Sequence, residues 1–385
     1  IKNRGIIMNV NNIENINPAR LKQARVSRGY SLADLADRIG VTKQYISQCE
    51  LGITNASSII YRLCDVLNYP ISFFSKLTKG VETSSATYFR SRKTTPKKLK
   101  EAANEKVELF SEIKDFFEEY VNYPELNLPD NIELKDEYTI EDIQKIATYV
   151  REYWKLGMGP IDNLVSVLQE NGIIISKIKV GNNKIDAFSK WINSTPYIFL
   201  SIDKDSAVRS RFDIAHELCH ILLHQYITKE EIECKEKLNQ IEKEADAFAG
   251  AFLLPAETFS REVFSSSLDN LVRLKERWKV SVGCMINRCS NLGLFTDNQV
   301  AYLKKQMTYK NYWRREPLDD TIQCEIPYLY KQIVELLLEN DVVSKYDIVD
   351  KIAMNPEEIE EYCYLKNGTL CENESGKIIS MKNFR

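Results

Sequence analysis

The sequence predicts a multidomain chain, with an all-α domain first, an α+β domain in the middle and a helical region at the end. Three observations lead there. At 385 residues the chain exceeds one ordinary domain and suggests two or three. From Asn17 to Leu77 it reads as a run of short, well-capped helices. Farther on, two β-branched and aromatic-rich runs, "GIIISKIKV" and "TPYIFLSI", precede two strongly helical stretches, "RSRFDIAHELCHILLHQY" and "IEKEADAFAGAFLLP". The expected boundaries are residues 12–78 for the first domain, 79–138 for a basic linker and connecting helix, 139–299 for the α+β domain and 300–385 for the helical region.

Composition narrows the class. The hydrophobic fraction of 44% and charged fraction of 28% are ordinary globular values, sufficient for sizeable cores. No apolar run approaches the ~18 residues of a membrane span. No basic segment, hydrophobic core and small-residue cleavage site open the chain, so a cytoplasmic protein without membrane partners is expected. Residues before Met8 are assigned no function. The nine cysteines are scattered, with no Cys-x-x-Cys pair, which suits reduced thiols better than a disulfide framework. Cys284 and Cys289, the closest pair, read as small core residues. The net charge of −3 conceals a division, because fifteen Lys or Arg stand against five Asp or Glu between Arg20 and Lys100. A solvated basic face is the ordinary explanation of such an excess. Beside a suitable motif it becomes a phosphate-binding surface.

That motif lies in the first domain. Pro18 fits a first helical position, followed by Leu21, Ala24 and Arg25. Ser31 fits an N-cap, and Leu32, Leu35, Ala36 and Ile39 recur at helical spacing. Gly40 supplies the left-handed turn that ends this helix. Thr42 caps a third helix in which Ile46 and Cys49 face inward and Lys43, Gln44, Tyr45, Ser47 and Gln48 face out. Gly52 stops it, and Ile59, Leu63, Val66 and Leu67 pattern a fourth. Two short helices joined by such a turn form a helix-turn-helix, whose second helix enters the major groove.

The segment "RLKQARVSRGYSLADLADRIGVTKQYISQCELG" closely resembles the phage-repressor-like (XRE) helix-turn-helix family, which binds operator DNA. The resemblance implies double-stranded DNA as a partner and Lys43, Gln44, Tyr45 and Ser47 as base readers. Lys pairs with guanine and Gln with adenine. Arg25 and Thr42 are the implied phosphate contacts. The family usually places Gln after the Ser that caps the second helix, where this chain has Leu32. Such domains bind palindromes as dimers, so a homodimer is expected. The competing reading makes the same residues a solvated face of a protein-protein module.

Between Lys79 and Leu99 the chain turns polar and basic, with Arg90, Arg92, Lys93, Lys97, Lys98 and Lys100 in and around the stretch. An exposed linker is favoured over a second strip of DNA-backbone contacts. A charged amphipathic helix follows, roughly Lys100 to Asn122, with Val107, Phe110, Ile113, Phe117 and Tyr120 on its apolar side. "PELNLPDN" ends it with two prolines.

The chain's three histidines, His216, His220 and His224, all lie in one helical stretch. Residues four apart share a helix face. His216 and His220 can therefore hold one Zn²⁺ at ~2.0–2.1 Å, and Glu217 is placed to take a proton from water. A third protein ligand must come from elsewhere. His224 reads as a core or supporting residue, since Leu223 and Tyr226 stand where a longer zinc pattern needs Gly and His. On the second helix Glu242 and Asp246 are four apart, so Glu242 can ligate while Asp246 hydrogen-bonds the far nitrogen of a ligating histidine. Glu244 is the competing ligand, and Glu242 is preferred.

"RSRFDIAHELCHILLH" together with "EKEADAFAGAFLLP" closely resembles the ImmA/IrrE metallopeptidase family over roughly Ile140 to Thr296. The resemblance implies a zincin-like fold and one zinc per chain on His216, His220 and Glu242, with Glu217 as general acid/base. Members often carry Gly at the position of Cys219, which reads here as a plain core thiol. "IDAFSKWI" is a candidate third strand. An extended substrate is expected to pair with an edge strand near the metal. Tyr197, Arg211 and Arg288 flank the site in sequence and are candidate oxyanion stabilisers. The implied function is a DNA-binding transcriptional regulator with zinc-dependent endopeptidase activity. Its substrate would be a repressor, another protein or itself, cleaved to control stress or mobile-element genes. The alternative is a non-cleaving transcription factor whose peptidase-like domain senses a ligand or partner. From Val300 onward the sequence carries no chemical motif, and a packing or substrate-presenting cap is favoured over a second DNA-contacting module.

Overall fold

The computed structural model describes residues 16–78, 88–91, 96–179, 185–201 and 206–371, with the backbone alone at 88–91, 185 and 229. Expectations for Arg92, Lys93 and the side chain of Arg90 fall outside these residues, as do residues 12–15 and 372–385.

In chain order the elements begin with five short helices, α1 (Pro18–Ser27), α2 (Leu32–Ile39), α3 (Lys43–Glu50), α4 (Ile60–Leu67) and α5 (Ile71–Ser75). Next come β1 (Tyr88–Ser91), α6 (Lys97–Glu118), α7 (Ile140–Tyr153), α8 (Leu164–Glu170), β2 (Ile174–Ile178), β3 (Ile185–Ile192) and β4 (Thr195–Ser201). The rest is helical: α9 (Ala207–Leu223), α10 (Lys229–Glu233), α11 (Lys235–Leu253), α12 (Ala256–Glu262), α13 (Leu268–Trp278), α14 (Val282–Asn291), α15 (Asp297–Tyr309), α16 (Leu329–Glu339), α17 (Lys345–Ile352) and α18 (Pro356–Tyr362). They form two compact units. Among the described residues, one comprises 16–78, Glu112–Tyr120 and 330–371. The other comprises those between 88 and Ser111 and between Val121 and Leu329.

The first unit contains the helix-turn-helix. Ser31 and Asp34 cap α2 reciprocally, and Gly40 ends it at φ +74°, a conformation costly for any residue with a Cβ. Thr42 accepts a hydrogen bond from Tyr45 N to start α3. Leu21, Leu35, Ile46 and Leu63 are fully buried between these helices. The last helices belong to the same unit. Arg28 forms a two-pronged ion pair with Glu358 at 2.7 and 2.8 Å, stacks over the Tyr69 ring and donates to Leu67 O. Lys76 Nζ donates to Ile352 O and Asn355 to Asn68.

The second unit is built on a mixed sheet of order β1-β3-β4-β2, with β2 parallel to β4 and the other pairs antiparallel. Asn193 and Ser194 both take positive φ in the two-residue turn joining β3 to β4, the turn geometry that matches strand twist. Alternation sorts side chains to two faces. Ala187, Ile198 and Leu200 join the main core with Ile214, Ala215 and Leu218 of α9 and Phe248 and Phe252 of α11. On the opposite face Phe110 of α6 meets Tyr197 and Phe199 edge-on, and Lys190 pairs with Glu108 at 3.3 Å.

Three boundaries differ from the sequence reading. Tyr88–Ser91, expected within an exposed linker, adds a strand to the sheet. The first part of the connecting helix α6, to Ser111, covers one sheet face. The region from 300 is also not one region. Leu303 and Met307 sit in the core of the second unit, where buried Lys275 pairs with Glu316 and Asp319. Helices α17 and α18 instead serve the first unit.

Candidate metal centre and nucleic-acid interface

α9 is almost wholly buried, because it runs between the sheet and α11. That burial makes the positions of its polar side chains informative, since buried polar groups must be partnered. His216 and His220 bring their Nε2 atoms within 3.1 Å of each other. Glu242, on α11, approaches both, with Oε2 3.5 Å from His216 Nε2 and Oε1 3.7 Å from His220 Nε2. Three ligands held ~2.0–2.2 Å from one tetrahedral centre stand about 3.4 Å apart, so these spacings fit a single ion. Among the described residues these three form a cluster able to hold a metal, with all ligand atoms within 4.8 Å.

The surrounding groups orient the imidazoles. His216 Nδ1 lies 2.9 Å from Asp246 Oδ1. His220 Nδ1 lies 2.8 Å from His224 Nδ1, and His224 Nε2 lies 3.0 Å from Glu244 Oε2. Glu244 is therefore the anchor of a His220–His224–Glu244 chain and stands behind His224. It also accepts from Tyr138 N and from Gln240. Glu217 is fully buried beside the cluster and accepts a 2.6 Å hydrogen bond from Ser189 Oγ of β3. Ser189 was invisible to sequence reasoning, because only strand pairing brings β3 over α9. The Cys219 thiol is fully buried and its ionisation is pushed well up by that burial, as befits a core thiol.

None of the three oxyanion candidates faces the cluster. Tyr197 lies on the α6 side of the sheet, stacked against Phe199 and away from α9. Arg211 is tied to Ile161 O and to Glu325, which in turn accepts from Leu164 N and Val165 N at the start of α8. Arg288 donates to Leu254 O and Gln144. Both arginines are structural clamps, and burial pushes each guanidinium down to about 10. Cys284 and Cys289 both pack with the core of the second unit. Whereas Cys289 is buried, Cys284 is half-buried and lines a cavity of about 900 Å³ that extends past Asp246, Lys243 and Asn287.

In the helix-turn-helix, Thr42, Lys43 and Gln44 are exposed at the start of α3, with Tyr45 and Ser47 half-buried behind them. The Tyr45 hydroxyl is 3.1 Å from Ser58 Oγ, bracing the loop that follows. Arg25 corrects the expectation of a phosphate contact. It is buried, and its guanidinium is held by Glu50 at 2.6 and 2.8 Å and by Tyr30 O at 2.7 Å. That pairing ties α1 to α3.

A helix-turn-helix unit and a small mixed sheet carrying a histidine–glutamate cluster define a regulator-like chain with a metallopeptidase-like domain. Family comparison agrees on both halves. Residues 21–74 match the helix-turn-helix family, and residues 168–290 match the peptidase family described as the IrrE N-terminal-like domain. No curated protein matches the chain. Among the described residues, no helix is long and apolar enough to cross a membrane.

Proposed function

We propose that the chain is a DNA-binding regulator whose second domain is a zinc-dependent endopeptidase. The observation that carries this reading is a three-ligand cluster, His216, His220 and Glu242, with a fourth buried group, Glu217, gripped beside it by Ser189. A structural zinc site uses a closed, cysteine-rich shell and has no use for a buried carboxylate next to its ligands. Bound there, zinc supplies a Lewis acid for the scissile carbonyl and an acidified water. Glu217 takes the water proton and delivers it to the departing amine. The hydroxyl of Ser189 fixes the carboxylate for that transfer. Asp246 orients His216, and the His224–Glu244 pair orients His220.

The other half reads DNA through Lys43 and Gln44 at the exposed start of α3, flanked by Thr42, Tyr45 and Ser47. A homodimer on a palindromic operator suits such a domain. The protein substrate is a repressor in a cytoplasmic regulatory circuit, by resemblance to the ImmA/IrrE family. The test is a digest of a peptide library by the zinc-loaded protein, read by mass spectrometry. Cleavage by the wild type and none by Glu217→Gln is expected. A zinc-loaded wild type that cuts nothing would replace this reading with a ligand-sensing domain.

A further inference from the structure

The sheet edge nearest the cluster is that of β3, since Ser189 on β3 holds Glu217. That edge is occupied by the chain itself. β1 runs antiparallel along it, with Tyr88 opposite Ser189, Phe89 opposite Phe188 and Arg90 opposite Ala187. Extended peptides bind proteins by adding to a sheet edge through their backbone, as β1 does here. Opposed residues in an antiparallel pair have Cα atoms about 4.5–5.5 Å apart. The β1 backbone at Tyr88 therefore passes one strand spacing from the residue that grips Glu217. Past Arg90 the register slips, Ser91 pairing with Ile185, so that Asp186 bulges from β3. Bulges of this kind are enriched beside active sites, where they re-aim a strand.

We propose that Tyr88–Ser91 is the peptidase's own substrate segment, held across the site in the pose of an extended substrate and cut in cis. The inference rests on the peptidase reading above and supplies its substrate. A strand tethered at both ends reaches effective concentrations in the millimolar range, so a separate peptide competes poorly until the strand is cut. In the reaction, the oxygen of one water bonds to the carbonyl carbon of a strand residue and the C–N bond breaks. The water's protons pass by way of Glu217 to the nitrogen, leaving a carboxylate and an ammonium terminus. Cleavage there severs the covalent path from the N-terminal helices to the peptidase domain.

The experiment follows purified full-length protein after addition of zinc, on denaturing gels with mass spectrometry of the new termini. Wild type is expected to split at a bond within or next to Tyr88–Ser91, and the fraction cut per hour should not change over a tenfold range of protein concentration. Glu217→Gln should stay intact, and the double variant Phe89→Pro with Arg90→Pro, which removes the β3-facing N–H whichever of the two neighbours carries it, should slow the cut at least tenfold. Without metal, hydrogen exchange should find the β3-facing amides of Tyr88–Ser91 protected in Glu217→Gln and unprotected once the two prolines are added. Casein incubated in parallel separates the failures. An intact chain that cuts casein overturns the cis substrate and leaves the peptidase standing, whereas an intact chain that leaves casein whole overturns both. A rate proportional to protein concentration, or termini elsewhere, also overturns the proposal.

Discussion

The Nδ1 atoms of His220 and His224 lie 2.8 Å apart, and this contact fixes where every proton of the relay must sit. If His220 presents Nε2 to a metal, its proton is on Nδ1 and is donated to His224. The only proton of His224 is then on Nε2 and is donated to Glu244. Burial pushes the His224 imidazole down, which favours this neutral form. Burial also pushes the Glu244 carboxyl up, but hydrogen bonds from His224, Gln240 and Tyr138 N outweigh it and leave the group below its usual range.

The relay should therefore matter to metal affinity although it touches no ion. His224→Phe and Glu244→Gln are each expected to weaken zinc binding about 10–100-fold, measured by competition against a chromophoric chelator. Unchanged affinity in both variants would make His224 a passive core residue.

Arg25 and Gln44 should separate cleanly in function. Gln44→Ala is expected to cost about 1–3 kcal/mol of discrimination at one base position, read by binding to an operator and its single-base variants. Arg25→Met should leave the salt dependence of DNA binding unchanged. It should instead destabilise the first unit by about 3 kcal/mol, because Glu50 is left buried without its partner. A shallower salt slope for Arg25→Met would restore its role as a phosphate contact.

Within the first unit, Arg28 and Glu358 join segments 330 residues apart in sequence. Both side chains are mostly buried, so Arg28→Met is expected to lower stability by about 2–4 kcal/mol. Urea titration of the single variants and of Arg28→Met with Glu358→Gln measures the coupling. Additive losses would mean that the pair contributes nothing of its own.

At the start of α7, the hydroxyl and backbone N–H of Thr139, with Lys135, hold the Asp142 carboxyl at about 2. A depressed carboxyl contributes stability that is complete above its unfolded value of about 3.9 and is lost as pH falls through about 2. The urea midpoint of the wild type should drop further between pH 5 and pH 3 than that of Asp142→Asn. Equal drops would remove the cap from the acid response.

Local signals explain what was legible from the sequence. Ser31, Gly40, Thr42 and the apolar positions of α2 and α3 specify their turns within a few residues, so the helix-turn-helix could be read almost residue by residue. Four-residue spacing likewise put His216 beside His220 and Glu242 beside Asp246 before any fold was known. Long-range pairing was not legible. A four-residue strand in a basic stretch, Tyr88–Ser91, carries too little pattern to reveal its partner β3. The faces of β4 depend on which helix covers each side, so Tyr197 looked close to a site that it faces away from. Arg25, Arg211 and Arg288 looked available because a charged residue's buried partner, here Glu50, Glu325 or a carbonyl, lies elsewhere in the chain.

The central claim is most directly tested by the zinc content of purified wild type, His216→Ala, Glu242→Gln and Glu217→Gln after equilibration with zinc and removal of excess. One zinc per chain is expected in the wild type and in Glu217→Gln, with loss of the ion in His216→Ala and marked weakening in Glu242→Gln. Equal, negligible zinc in all four proteins would contradict the metal centre and leave only the DNA-binding half of the account.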